Sequence, residues 1–269
     1  MERFQNILLV GCGNMAGAML TGWLAAGIPA ARFTVVDPAR EGLPDGVRLL
    51  RQLPRDGRFD AVLLGVKPQG LDGVAPALAP LVGRETVLFS ILAGVEFNSL
   101  AARFPNAGAL VRIMPNLAVA IGKSPIALDA RGLDETGRAA VTALMEPLGT
   151  PEWLADEHEF DAVTALAGCG PAFVYRFIDS LAAGAIRLGL DEEQSRRLAL
   201  AMVEGASLLA AASDATPGQL ADRVASPGGS TRAGMNVLDA DGALAELVAA
   251  AMAASRDRNA EMAAEARKG

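Results

Sequence analysis

A glycine-rich turn near the start of the chain places the strictest limit on its fold. The apolar run NILLVG (6–11) leads directly into GCGNMA (11–16), and a helical pattern follows. The turn fits the G-x-G-x-x-G/A pattern: Gly11 allows a tight turn, Gly13 lets the backbone approach a pyrophosphate, and Ala16 permits close helix–strand packing. The N-terminus of the following helix offers free N–H groups to phosphates. This order of strand, turn and helix predicts a Rossmann-type dinucleotide site.

An acidic residue at the end of the second apolar run supports this interpretation over a plain βα turn. Asp37 ends FTVVD (33–37), where an acid accepts hydrogen bonds from ribose hydroxyls. Asp37 would also repel a 2′-phosphate, which favours NAD. One of three nearby arginines would pair with that phosphate, which favours NADP; they are Arg32, Arg40 and Arg48. The residues leave the choice of cofactor open.

The rest of the first half alternates apolar runs with helical patterns. Continuous apolar runs predict strands buried on both faces, and the stretches between them predict the covering helices. The predicted strands are 6–11, 33–37, 59–68, 86–94, 109–116 and 124–130, and the predicted helices are 14–27, 69–80, 97–104 and 134–147. We therefore expect an α/β fold with a doubly wound parallel sheet over residues 1–155.

From about residue 157 the composition becomes helical, rich in Ala, Leu, Glu and Arg. The predicted helices cover 157–166, 171–188, 191–213, 216–224, 231–238 and 241–267. Many are apolar around more than one face, which indicates deep burial. Such helices have too little polar surface for a domain that stands alone, so we expect an all-α domain over 156–269 that interlocks with another subunit. A monomeric helical bundle is the alternative.

The scarcity of reactive side chains excludes several classes of enzyme. The 269 residues include one histidine, His158, and two cysteines, Cys12 and Cys169. These are too few ligands for a zinc or di-iron site, so no metal is expected. Only His158 is available for a Ser-His-Asp or Cys-His mechanism. Two cysteines so far apart do not make a disulfide scaffold.

The net charge of −7 is unevenly distributed, with +1 over residues 1–150 and −8 over residues 151–269. An acidic half of this kind does not indicate nucleic-acid binding. No apolar run reaches the roughly 18–20 residues that span a bilayer. The first residues show neither the n-region nor the cleavage site of a signal peptide. We expect a cytoplasmic protein that binds neither nucleic acid nor membrane.

Three further segments end predicted strands at the edge where open α/β sheets bind ligands. GVKPQ (65–69) places Lys67 there, although a solvent-exposed lysine before a helix-starting proline is the alternative. AG at 93–94 and RIMPN (112–116) end the next two strands. Asn116 would hydrogen-bond cofactor or substrate, although turn formation alone also explains MPN.

Two glycine-containing turns interrupt the helical half. GCGPAF (168–173) joins two apolar helices, and its Cys169 is either a reactive thiol or a buried apolar filler. SPGGST (226–231) exposes N–H groups at a helix N-terminus beside the hydroxyls of Ser230 and Thr231. That arrangement suits a small carboxylate, with an N-cap in a flexible turn as the alternative.

Together these segments resemble the pyrroline-5-carboxylate reductase family, in order and over nearly the whole chain. The matching motifs are GCGNM (11–15), VKPQ (66–69), AGV (93–95), RIMPN (112–116), FDAVTALAGCGPAF (160–173), PGQLAD (217–222) and ASPGGSTRAGMNVLD (225–239). The last is the most specific. The resemblance implies an N-terminal Rossmann domain, a C-terminal helical dimerisation domain, and homodimers that often assemble further into decamers.

The resemblance also implies which residues form the site. The implied substrate residues are Gly228, Gly229, Ser230, Thr231 and Asp214, and the implied cofactor residues are Gly11, Gly13, Asn14, Met15, Asp37, Val66, Lys67, Pro68, Ala93 and Asn116. In the family pattern, Gly229 and Ser230 hold the substrate carboxylate through backbone N–H, and Thr231 meets the ring nitrogen. Ser230 and Thr231 are therefore the expected catalytic residues.

The sequence departs from the family pattern in four places. Ala16 replaces a glycine, and Cys169 replaces a serine. Leu117 and Ala118 stand where threonine and proline are usual, so the wall near the nicotinamide is expected to differ. The stretch from residue 37 to residue 60 is several residues short, which leaves the adenine and 2′-phosphate pocket open.

The expected activity is reduction of 1-pyrroline-5-carboxylate to L-proline by hydride transfer from NADPH or NADH. The protein aligns the reactants and excludes water, and Thr231 orients the imine N–H while solvent or Asp214 supplies the proton. A β-hydroxyacid dehydrogenase is the alternative enzyme, but its catalytic lysine is missing from the helical half, where only Lys268 occurs. A non-catalytic dinucleotide-binding regulator is the other alternative, and the SPGGST turn argues against it.

Overall fold

The apolar runs of the first half form one eight-stranded sheet in the computed structural model, which describes residues 3–266. Lys268 and the last residue of the predicted helix 241–267 lie outside this range. The strands are β1 (Ile7–Val10), β2 (Phe33–Val36), β3 (Arg48–Leu50), β4 (Ala61–Leu64), β5 (Val87–Ser90), β6 (Ala109–Met114), β7 (Ser124–Arg131) and β8 (Gly149–Trp153). Their order is β3-β2-β1-β4-β5-β6-β7-β8. The expected doubly wound α/β architecture is confirmed.

Within the described residues 3–266, ten α-helices connect and follow the strands. They are α1 (Asn14–Ala25), α2 (Leu71–Leu78), α3 (Phe97–Arg103), α4 (Glu135–Met145), α5 (Phe160–Val163), α6 (Gly170–Arg187), α7 (Glu192–Ala211), α8 (Pro217–Val224), α9 (Ser230–Asp239) and α10 (Ala243–Ala266). A π-helical turn, Thr164–Gly168, lies between α5 and α6. Within residues 3–266, no helix is both long and apolar enough to cross a membrane.

The sheet has apolar cores on both faces because β1 (ILLV) and β4 (AVLL), at its centre, are apolar and buried on both sides. Leu9 of β1 belongs to one core and Leu8 to the other, and both are fully buried. The parallel register pairs Val10 with Val36 and with Leu64, so β1, β2 and β4 end along one edge. Loops that follow these strands meet at that edge.

The sheet differs from the predicted one at its margins. β3 and β8 were not predicted, because an edge strand needs no continuous apolar run: β3 has three residues, and β8, GTPEW, contains a proline and has no fully buried residue. β7 runs antiparallel to β6. The connection over residues 115–123 is too short for the crossover that a parallel pair requires.

The described residues divide into two compact units. The first runs to Cys169 and takes up the chain again at Ser255, and the second is Gly170–Ala254. Helix α10 therefore begins in the second unit and ends in the first. The domain boundary at 155/156 stays a prediction.

The second unit exposes many large apolar side chains. Leu188 is 89% exposed, Val237 73% and Leu247 69%. Monomeric proteins rarely leave so many apolar side chains in contact with water, so this surface is suited to cover by another chain.

Candidate functional site

The glycine turn after β1 has a backbone that only glycine fits. Gly11 has φ +86°, and a Cβ there would lie 2.8 Å from the Val66 nitrogen and 2.9 Å from the Gly65 carbonyl oxygen. A Cβ on Gly65 would in turn lie 2.5 Å from the Gly11 carbonyl oxygen. The turns after β1 and β4 therefore pack backbone against backbone. The sequence gives no separate prediction for Gly65, although it is the first residue of the GVKPQ segment and directly follows β4 (Ala61–Leu64).

Gly13 has the opposite surroundings. No heavy atom lies within 4 Å of a Cβ built on it, and it is exposed. It is the N-cap of α1 and its residue type provides no side-chain cap, so the first turn of α1, beginning with Asn14 and Met15, keeps backbone N–H groups for a ligand. An open concave backbone at a helix N-terminus fits a pyrophosphate.

Asp37 braces this turn from the end of β2. Its carboxylate accepts hydrogen bonds from the backbone N–H of Cys12 at 2.8 Å, Ala39 at 2.9 Å and Arg40 at 3.1 Å. Burial by itself raises the pKa of Asp37, but these three hydrogen bonds outweigh burial and hold the pKa below its usual value. The carboxylate keeps lone pairs that a ribose hydroxyl can use.

We expect Asp37→Asn to remove an acid-sensitive part of the stability. The lowered pKa means that the ionised carboxylate stabilises the fold above about pH 4 and that this contribution is lost as the pH falls through the folded-state pKa. The variant should melt about 2–4 °C below the parent protein at pH 7, and the gap should shrink on acidification. Scanning calorimetry of both proteins at pH 7 and at an acidic pH below the folded-state pKa of Asp37 measures this difference in melting temperature. Asp45→Asn, on an exposed neighbouring loop, is the control. A gap independent of pH would contradict this role.

Two arginines lie beside Asp37. The guanidinium of Arg40 donates from Nη1 to the Cys12 carbonyl at 3.2 Å and from Nε to the Gly42 carbonyl at 3.2 Å. Arg51 donates to the carbonyls of Asp37, Pro38 and Arg40. Both side chains are thus held near the turn at the carboxyl end of β2.

The other two arginine candidates lie elsewhere. Arg32 precedes β2 and Arg48 begins β3, so both stand at the amino ends of these parallel strands. Arg51 was missed because it directly follows β3, a strand that the apolar pattern does not reveal.

The segments after β4 and β5 continue the same edge. Val66 is half-buried, Lys67 is exposed, and the Lys67 carbonyl accepts from Gly70 N–H at 2.8 Å. Pro68 and Ala93 line a cavity of about 580 Å³, together with Gln69, Leu71, Asp72, Val95, Ser99, Arg103, Arg258 and Met262. The structure therefore brings the predicted residues of the first half to one edge, because Asn116 also follows the carboxyl end of a parallel strand, β6.

Asn116 is 6% exposed, and its amide is occupied by protein partners. Its Nδ2 donates to the Ala167 carbonyl at 2.9 Å, and its Oδ1 accepts from Ala118 N–H at 2.9 Å. Direct contact of Asn116 with the cofactor stays a prediction.

The turn at 226–231 lies in the second unit. Gly228 has φ +74°, and Gly229 N–H donates to the Ser226 carbonyl at 3.0 Å. Gly229 is the N-cap of α9 and provides no side-chain cap, and Ser230 and Thr231 are exposed in the first turn. The N–H groups at this helix start thus remain for an anion.

A nearby arginine is held by other groups. Arg232 pairs with Asp222 at 2.8 Å and donates to the Ala225 carbonyl at 3.3 Å. The local attraction for an anion therefore comes from the helix backbone and its dipole. Asp214 is exposed in the turn before α8, whose own start is closed by a capping box of Thr216 and Gln219. Within residues 3–266, no group of three His, Cys, Asp or Glu residues is arranged to hold a metal ion.

Comparison with known proteins gives concordant results along the chain. Residues 157–262 match the family described as pyrroline-5-carboxylate reductase dimerisation. The chain is 34% identical to the pyrroline-5-carboxylate reductase of Pseudomonas aeruginosa, over 96% of this chain and 97% of that protein. It is 38% identical to that of Aquifex aeolicus, over 88% and 90%.

Solved structures give the same picture. A pyrroline-5-carboxylate reductase from Coxiella burnetii superposes with a TM-score of 0.88 at 28% identity, covering 96% of this chain and 98% of that one. The pyrroline carboxylate reductase of Plasmodium falciparum with NADP bound superposes with a TM-score of 0.84 at 26% identity, covering 98% and 99%.

Proposed function

The chain belongs to the pyrroline-5-carboxylate reductase family and catalyses its reaction, the reduction of 1-pyrroline-5-carboxylate to L-proline with a nicotinamide dinucleotide, and we propose that NADPH is the donor and that the 226–231 turn holds the imine. The observation that supports the cofactor site is the open backbone at Gly13. A Cβ built there has no neighbour within 4 Å, and the start of α1 has no side-chain cap. When bound, the reduced nicotinamide supplies the hydride that the imine carbon accepts.

Residues of this chain hold the reactants and provide no strong base. Gly11, Gly13, Asn14 and Met15 hold the pyrophosphate, and Asp37 holds the adenosine ribose while bracing the turn. Val66, Lys67, Pro68, Ala93 and Asn116 complete the proposed cofactor set along the sheet edge.

The substrate residues act through the backbone and one hydroxyl. The uncapped N–H groups after Gly229 bind the carboxylate, because a helix N-terminus stabilises negative charge. The Thr231 hydroxyl hydrogen-bonds the ring nitrogen and orients it. Solvent or Asp214 supplies the proton for that nitrogen. The protonated imine is electrophilic enough to accept the hydride, so the reaction needs no strong general base.

NADPH is favoured because two guanidinium groups lie at the end of β2. The bound NADP of the Plasmodium falciparum relative supports the same choice. Within residues 3–266 the Arg40 guanidinium donates to the protein from Nε and Nη1, which leaves Nη2 to pair with a 2′-phosphate.

Arg40→Ala should raise the KM for NADPH about tenfold and leave the KM for NADH nearly unchanged, because only NADPH carries the 2′-phosphate. Steady-state kinetics with each nucleotide measures both. Arg48→Ala, on an exposed arginine at the amino end of β3, is the control. An equal loss for the two nucleotides would instead mean that Arg40 acts by bracing the Cys12 carbonyl.

The activity is tested directly by mixing the protein with the imine and NADPH or NADH and following the loss of nicotinamide absorbance. Absence of oxidation with both nucleotides would contradict the function.

The dimerisation family matched by residues 157–262 indicates a homo-oligomer. We propose that the exposed apolar side chains of the second unit form the interface of a homodimer, and that dimers assemble into decamers. Light scattering during size-exclusion chromatography distinguishes a dimer from a decamer. We also propose that residues 1–155 bind the cofactor and that residues 156–269 form the subunit contact and bind the substrate.

A further inference from the structure

The loop between β5 and α3, residues 91–96, contains Ala93 of the proposed cofactor set and is weakly held by its own hydrogen bonds. Val95 N–H donates to the Leu92 carbonyl at 3.4 Å, and Leu92 N–H donates to Ser90 Oγ at 3.3 Å. Both distances exceed the range of about 2.7–3.2 Å that is usual for hydrogen bonds from N–H to oxygen. Contacts at the ends of this loop therefore contribute to its position.

Glu157 makes such a contact at the carboxyl end of the loop. Its Oε1 accepts from the N–H of Phe97, the first residue of α3, at 3.1 Å. The N–H groups in the first turn of a helix have no partner within the helix, and the N-cap residue of α3, Glu96, makes no side-chain cap. Phe97 is 1% exposed, so water has little access to this donor. A side chain 60 residues further along the chain thus caps α3.

Two arginines on neighbouring strands hold the Glu157 carboxylate in place. Arg112 Nη1 of β6 lies 2.9 Å from Oε1, and Arg131 Nη2 of β7 lies 3.0 Å from Oε2. The Arg112 side chain is 4% exposed, and its guanidinium carbon lies 3.8 Å from the centre of the Phe160 ring. A buried guanidinium is costly without its carboxylate, which favours one geometry for the pair. Glu157 therefore presents a fixed acceptor to Phe97.

We propose that Glu157 is a positioning residue that caps α3 and so fixes the 91–96 loop for the nicotinamide half of the cofactor. This proposal rests on the proposed function, in which the cofactor site extends along the strand ends from Asp37, at the adenosine ribose, to Ala93. All of these residues belong to the first unit. A loop without its anchor is correctly placed in only a fraction of the molecules, and the apparent affinity for the cofactor falls by that fraction.

Glu157→Ala should raise the Kd for NADPH about tenfold, because Phe97 N–H loses its acceptor and the loop loses its anchor. The Kd for adenosine 2′,5′-bisphosphate should change less than about twofold, because this ligand has the adenosine half of NADPH and lacks the nicotinamide. Isothermal titration calorimetry of the full chain measures both constants. An equal loss for the two ligands, or an unchanged Kd for NADPH, would overturn the proposal.

A double variant, Glu157→Ala with Arg112→Met, separates loop position from stability. Glu157→Ala alone leaves a buried guanidinium without its carboxylate, which lowers the melting temperature. Methionine has no charge and packs well against aromatic rings, so the double variant should melt closer to the parent temperature. Phe97 N–H still lacks an acceptor in this variant, so binding of NADPH should remain about tenfold weaker than in the parent. Recovery of NADPH affinity together with the melting temperature would overturn the proposal.

Glu159→Ala is the matched control, because Glu159 lies in the same short helical turn and its Oε2 accepts from Ala155 N–H at 3.1 Å, outside α3. We expect parent affinity for both ligands. A loss of NADPH affinity equal to that of Glu157→Ala would assign the effect to loosening of this turn and overturn the proposal. If the parent protein failed to bind NADPH, the proposed function would be contradicted as well, whereas parent binding that Glu157→Ala leaves unchanged contradicts this proposal alone.

Discussion

Gly13→Ala is expected to weaken NADPH binding about 100-fold, or ~2.7 kcal/mol, while the protein melts at nearly the parent temperature. The backbone at residue 13 is one that alanine adopts readily, and a Cβ there meets no protein atom within 4 Å. The same Cβ would occupy the space through which a pyrophosphate approaches the α1 N-terminus. The loss of one or two charge-assisted hydrogen bonds accounts for the expected magnitude. Titration of nucleotide fluorescence measures the affinity, and calorimetry measures the melting temperature.

Gly11→Ala is the informative partner of this variant, two residues earlier in the same turn. Its φ of +86° and the 2.8 Å approach of a Cβ to the Val66 nitrogen predict a loss of stability of ~2–5 kcal/mol. One alanine thus tests the binding surface and the other tests the backbone fold. If Gly13→Ala retained parent affinity for NADPH, the phosphate site would have to lie elsewhere.

Thr231→Ala should lower kcat for the imine by about 10- to 100-fold and leave the Kd for NADPH within about twofold. Thr231 is exposed in the first turn of α9, and the N-cap of this helix is Gly229, so removal of the Thr231 hydroxyl should not loosen the helix. Single-turnover and steady-state kinetics with the imine, together with a nucleotide titration, measure the two effects. Loss of nucleotide affinity would remove Thr231 from the substrate side of the site.

Ser230→Pro separates the backbone from the hydroxyl. Ser230 is the first residue of α9, a position where proline is well tolerated, but proline takes away one N–H of the proposed carboxylate site. The KM for the imine should rise about tenfold while the melting temperature changes little. An unchanged KM would show that this N–H does not bind the carboxylate.

The central part of the fold is predictable from the sequence because burial on both faces produces continuous apolar runs. NILLV and AVLL are such runs, and both are central strands. β3 and β8 lie at the sheet margins, where burial is partial and the sequence need not be apolar. The antiparallel direction of β7 depends on the length of a connection, and the apolar pattern carries no information about direction.

The glycine turn and the turn at 226–231 were recognisable because a missing side chain leaves a clear signal in a sequence. The sequence does not show whether a polar side chain binds a ligand or the protein backbone. Asp37 and Asn116 stand where ligand contacts are expected, and both make strong hydrogen bonds to the backbone. Residue type and spacing do not reveal which partner a polar group has, so bracing and binding look alike in a sequence. Arg51 could not be found because its strand was not found.

The path of α10 has a consequence for the order of synthesis. This helix returns from the second unit to the first, where Ala263 is 4% exposed and its nitrogen lies 3.2 Å from a Cβ position on Gly94. Gly94 lies in the loop between β5 and α3, in the part of the chain that leaves the ribosome early. The dinucleotide-binding unit therefore cannot complete its packing at this edge until residues 255–264 have emerged. Its folding is completed late in translation, although most of its sheet is encoded first.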